Sequence, residues 1–143
     1  ATTATQKVTT MGTKSGAYQY FDDGMLAISG ATPRYQIGMA SAVGQDTTST
    51  VDLNAHVHTI LFDGSLTGNA NRLKYYRDKT QITLTFTGTV GATTNANTNY
   101  FFVSPADFPF KGYAFEIAIF NRALTATEIN SLENYFKNKW GTP

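Results

Sequence analysis

The chain of 143 residues contains no cysteine. No disulfide can staple the fold and no thiolate can act as nucleophile or metal ligand. A packed core must hold it, which one domain of this length supplies unaided. Compartment stays open, because secreted and virion domains with large cores also fold without disulfides. Charge is scarce as well: 11 Lys and Arg stand against 10 Asp and Glu, for a net +1, with the signs interspersed. Without a basic stripe or an acidic tail, nucleic acid and anionic membrane are poor partners. No apolar run approaches the ~18 residues of a membrane span. The opening residues lack the layout of a signal peptide. The chain begins at Ala1 and not at Met, which points to processing or to a fragment of a longer chain. Helix signals are absent until the last twenty or so residues.

What is present is threonine, about one residue in six. A β-branched polar side chain suits the exposed face of a pleated sheet, and the balance favours an extracellular, cell-surface or virion location. "AYQYFDDGMLAIS" predicts two short strands joined at Asp23 and Gly24, a pair that takes the positive φ of a tight hairpin. In "QITLTFTG", Ile82, Leu84 and Phe86 alternate with Thr83, Thr85 and Thr87, the pattern of a half-buried strand. "VHTILFDG" and "RLKYYRD" read as two more strands, with Gly68 and Asn69 in the loop between. "YFFV" reads as a short one, and residues 91–99 as a polar loop. In "GYAFEIAIF", Tyr113, Phe115, Ile117 and Ile119 share one face, with Glu116 and Phe120 on the other. Turn residues punctuate the chain every eight to twelve positions or so, the spacing of an all-β sandwich or barrel.

The helix signal sits at the end. Thr125 is an N-cap, Glu128 completes a capping box, and Leu124 with Ile129 forms a hydrophobic staple. Ile129, Leu132, Phe136 and Trp140 recur at helical spacing, and Gly141 ends the run. The prediction is one amphipathic helix over about 126–139, its stripe laid on a sheet with the Trp140 indole buried.

From about His58 onward, roughly the C-terminal sixty per cent, the chain resembles the laminin G-like members of the concanavalin A-like lectin and glucanase superfamily. The matching stretches are "HTILFDGS", "NRLKYYRDK", "TFTGTV", "FKGYAFEIAIFNRALTATEI" and "YFKNKW", strongest at Asn121, Arg122, Leu124, Glu128 and Ile129. The resemblance implies a single antiparallel jelly-roll β-sandwich over 1–143 with one C-terminal helix. Two departures stand out. Asp78-Lys79 occupies the hairpin where relatives carry Asn-Gly or Asp-Gly, so a longer or strained turn is expected. The opening strands of relatives have no clear counterpart, so they have diverged or the chain is a truncated copy that borrows edge pairing from a neighbour.

Chemistry is thinly represented. Glucanases of this superfamily carry a carboxylate pair on one strand. The glutamates here are Glu116, Glu128 and Glu133: one is the cap, one lies on the helix, and Glu116 has no acid two residues away. No Ser sits in a nucleophile elbow either, so the expectation is a non-enzyme. His56 and His58 stand at i and i+2, a spacing open to two metal ligands or to a strand start with one buried, bonded His. Asp22, Asp23 and Asp63 lie at turns and can either bind Ca²⁺ or simply form those turns. Glycan recognition wants aromatic faces beside amides and carboxylates. Asn69, Asn71, Arg72, Tyr76, Asn97, Asn99, Tyr100 and Asp107 are the candidates, with Tyr75 a second platform or a core residue. Arg122 reads as a structural brace at the strand-to-helix corner. Two functions follow: a non-catalytic module binding glycans or a cell envelope, or a structural virion or surface-assembly subunit that contacts its own copies.

Overall fold

The computed structural model describes residues 6–11, 25–29, 34–39, 42–49, 51–52, 54–94, 99–101 and 113–142. The described residues form nine strands in chain order: β1 Gln6–Met11, β2 Met25–Ser29, β3 Arg34–Met39, β4 Ala42–Asp46, β5 His58–Phe62, β6 Leu73–Arg77, β7 Thr80–Ile82, β8 Leu84–Thr87 and β9 Asn99–Phe101. A single helical turn, α1 Asn69–Arg72, joins β5 to β6, and α2 spans Ala126–Trp140. Every pairing among the described residues is antiparallel. A six-stranded sheet runs β8-β4-β3-β2-β1-β9, and a three-stranded sheet runs β5-β6-β7. Two antiparallel sheets with a C-terminal helix are thus present.

The sheets meet through residues of alternating parity. The β5 and β6 register pairs Ile60 with Tyr75 and Phe62 with Leu73, which places them on one face. That face meets Tyr35, Ile37 and Ala42 of the large sheet, with Val90 beneath them. Tyr75 and Ile37 are fully buried, and the Tyr35 and Tyr75 rings lie 6.2 Å apart. Burying side chains of this size contributes about 1.5 to 3 kcal/mol each.

"QITLTFTG" is not one strand. β7 pairs with β6, then Thr83 steps out, and β8 pairs with β4 in the other sheet. A one-residue step keeps the parity, so Ile82, Leu84 and Phe86 all still pack on the core.

The front of the chain supplies β1, where no strand was expected; "QKVTTM" is too polar to signal one. The strand "MLAIS" is β2, while its expected partner and the Asp23-Gly24 turn lie outside the described residues. "YFFV" is met at Tyr100 and Phe101 only. Residues 113–120 correct a further expectation: they join no ladder among the described residues, and Tyr113 is 90% and Ile119 57% exposed.

The β6–β7 turn has two residues, since Arg77 pairs with Thr80. It is the strained alternative: Asp78 and Lys79 hold φ of 49° and 69°, which costs non-glycine residues about 1 to 2 kcal/mol each.

The capping box of α2 forms in full: Thr125 Oγ1 accepts from Glu128 N, and the Thr125 N–H donates back to the carboxylate. Arg122 braces the same carboxylate with two bonds of 2.9 and 2.6 Å, where bonds to carbonyls were expected; it reaches one, Ala123 O, at 3.3 Å. Gly141 closes the helix at φ 70°. Of the expected stripe only Ile129 is buried; Trp140 is 39% exposed. Its indole stacks on Phe115 at 5.5 Å and donates to Glu116. The second buried residue is Glu133, one turn past Ile129.

Candidate functional site

Polar residues gather at both ends of the β5–β6 pair. At the far end, β5 runs into Asp63 and Gly64, and the chain returns through α1. The carboxylate of Asp63 accepts from the Ser65 N–H and hydroxyl, at 3.0 and 2.6 Å, which holds it below the usual carboxylate range. Asn69 clamps the 88–90 segment, donating to Gly88 O and accepting from Val90 N. Arg72 donates to Leu66 O and Val90 O, and Asn71 to Thr67 O. Gly64 passes so close to this segment that a β-carbon there would lie 1.9 Å from Ala92 O. The end is therefore a rigid polar rim in which Asp63, Asn69, Asn71 and Arg72 stand together.

The other expected residues are elsewhere. Tyr76 pairs with Thr59 on the opposite face of the sheet, under α2, where burial and the Glu133 charge raise its pKa. Tyr75 is a core residue, its phenol pushed up by burial. Asn99 and Tyr100 lie in β9 at the edge of the large sheet. Asp22, Asp23, Asn97 and Asp107 lie outside the described residues. Beside α1, Lys74, Gln81 and Thr83 border a groove of about 140 Å³ floored by Leu73 and Ile82. It is smaller than the ~300 Å³ of an ordinary small-molecule pocket.

The near end holds the two histidines. His56 Nδ1 lies 2.6 Å from Asp78 Oδ2, and its Nε2 lies 2.9 Å from Asp52 Oδ1. Both carboxylates are served only when the ring carries both protons. Asp78 also accepts from Val57 N, so the strained turn is tied to the start of β5. His58 faces the core. It shares a 2.7 Å hydrogen bond with the Tyr75 hydroxyl, and burial, with the His56 charge, pulls its pKa down to about 4. Its ring lies 5.1 Å from that of Tyr35. Among the described residues no group of three or more His, Cys, Asp or Glu is placed to hold a metal ion.

Glu133 of α2 completes this end. It accepts the Thr59 hydroxyl at 2.6 Å and the Lys79 backbone N–H, while Lys79 Nζ reaches Asn134. The sequence signal for Glu133 was its spacing: an acid four residues after Ile129 falls on the apolar stripe, where a carboxylate needs buried donors.

A third cluster joins residues 113–120 to the last turn of α2. Glu116 accepts from Tyr135 and Trp140 and pairs with Lys139 at 2.9 Å. These bonds hold its carboxyl below the usual range, the Lys139 contact foremost. Phe115, Ile117, Ile119 and Phe120 remain about half exposed. Among the described residues no helix is long and apolar enough to cross a membrane. No protein-family model, no curated protein and no solved structure matches the chain.

Proposed function

We propose that the chain is a non-catalytic, laminin G-like jelly-roll module that works by contact with other copies, as a structural subunit of a virion or surface assembly. Residues 113–120 carry this reading. Five large apolar side chains stand exposed there on a run with no strand partner among the described residues. Contiguous exposed apolar surface of this kind marks protein contact. The run has one charged residue, Glu116, and Lys139 already neutralises it, so no like-charge repulsion opposes the meeting of copies. The test is mass in solution across a range of concentrations, for the wild type and for Ile117→Lys. A wild-type oligomer dissociated by the substitution supports the reading. A wild type that stays monomeric throughout overturns it.

A second reading, glycan binding or envelope adhesion, is favoured by the rigid rim of Asp63, Asn69, Asn71 and Arg72, whose bonds to backbone preorganise the loop. A glycan array run with Ca²⁺ and with chelator tests it. Binding lost in chelator implicates Asp22, Asp23 and Asp63. Silence in both conditions leaves the assembly reading alone.

A further inference from the structure

We propose that the partner is a second copy of this chain and that its residues 113–120 add as a strand to the open edge of β5. The inference rests on the self-association argued above and names the surface that receives it. Both halves of the joint are present in one chain. Among the described residues four strands end a sheet: β5 and β7 in the small one, β8 and β9 in the large one. β7 and β9 have three residues each and β8 has four, whereas β5 has five. Val57 O also accepts from Asp78 N, so β5 stays aligned beyond its first residue. It is the longest edge available.

The two faces of β5 decide what can lie beside it. Ile60 and Phe62 pack on the core between the sheets, and Thr59 lies under α2, bonded to Glu133. A strand added there is covered on one side by the large sheet and on the other by the helix layer, so it must be apolar on both faces. Most half-buried strands are not. Residues 113–120 meet that requirement once extended: Tyr113, Phe115, Ile117 and Ile119 would then share one face, and Ala114, Ala118 and Phe120 the other. The one exception, Glu116, is already held by α2.

Within its own chain this run is pinned to the last turn of α2, away from any ladder, through Phe115 on Trp140 and the Glu116 bonds. A run and an edge that both lack a ladder partner among the described residues make the exchange reciprocal. Two copies then form two equal joints and the assembly closes as a twofold dimer.

The experiment is amide hydrogen exchange on the wild type over a dilution series, with Ile117→Lys in parallel. In the dimer, exchange at 113–120 and at the amides of β5 not bonded to β6 slows together by about tenfold or more, and dilution reverses both. A dimer protecting 113–120 while β5 exchanges as in the diluted protein overturns the edge assignment and leaves self-association standing. Slow exchange at both segments in a monomer shows that the strand closes on its own sheet, which also overturns the inference. A monomer without protection at either segment removes both readings. The wild-type dilution series decides these outcomes even where Ile117→Lys fails to fold.

Discussion

The Glu133 carboxylate of α2 accepts the backbone N–H of Lys79, a residue held at φ 69° in the β6–β7 turn. A charged acceptor at a strained backbone N–H offsets the cost of that turn, and the same bond anchors the helix on the small sheet. One contact thus serves local backbone and tertiary docking together.

Removing that carboxylate should be expensive. Glu133→Ala leaves the part-buried Thr59 hydroxyl and Lys79 N–H without their acceptor, at about 1 to 3 kcal/mol per group where water does not replace it. Urea unfolding is expected to show a loss of about 3 kcal/mol, with Glu133→Gln losing less because one acceptor oxygen remains. A loss below about 0.5 kcal/mol for Glu133→Ala would contradict the anchoring role.

Lys79→Gly acts in the opposite direction. Glycine takes φ 69° without a Cβ penalty, so the substitution is expected to stabilise by about 0.5 to 1 kcal/mol. The loss of the exposed Lys79 to Asn134 bond reduces the gain slightly. A lowered melting temperature would show that the turn is not under strain.

Gly64→Ala tests the polar rim. Its β-carbon would fall 1.9 Å from Ala92 O, a backbone atom that cannot rotate away. A destabilisation of about 2 kcal/mol or more is expected, accompanied by faster amide exchange at 88–92. A neutral result would separate the two loops.

Two windows of pH dependence follow. The unfolded chain protonates His58 near pH 6.5, while the folded chain resists until about pH 4. Its contribution is therefore complete above pH 6.5 and is lost as pH falls toward 4. His58→Phe, which keeps a ring against Tyr35, should flatten stability across that window. Glu128, held down to about 2 by Arg122 and Thr125, contributes above its ordinary 4.5 and loses that contribution as pH falls toward 2. Glu128→Gln should act only in this lower window, and a unified slope insensitive to either substitution would refute the assignment.

The legible parts were the local ones. Thr125, Glu128 and Arg122 lie within seven residues, so their bonds are written in the spacing, and the α2 start follows. β5 and β6 were legible from apolar runs between turns. β1, β3 and β4 were not: polar residues and glycines interrupt their apolar pattern, and β1 and β4 each also lie beside a strand distant in the chain. Alternation at Ile82, Leu84 and Phe86 told which face is inward but not which sheet, since both sheets share that interior. Trp140 misled through its helical spacing: Glu116 and Phe115 receive the indole at the last turn, where a sheet face was expected. Of the site, the sequence placed Asp63 with Asp22 and Asp23 and apart from Asn69, Asn71 and Arg72, and the fold brings Asp63 beside those three instead. The carboxylates around His56 were missed because Asp52 and Asp78 are brought together only by the fold.

The crossover at Thr83 has a mechanical consequence. A single residue links the last strand of the small sheet to an edge strand of the large one. Tension that drags one sheet past the other is carried there by covalent backbone, so sliding is arrested before the aromatic layer has to yield.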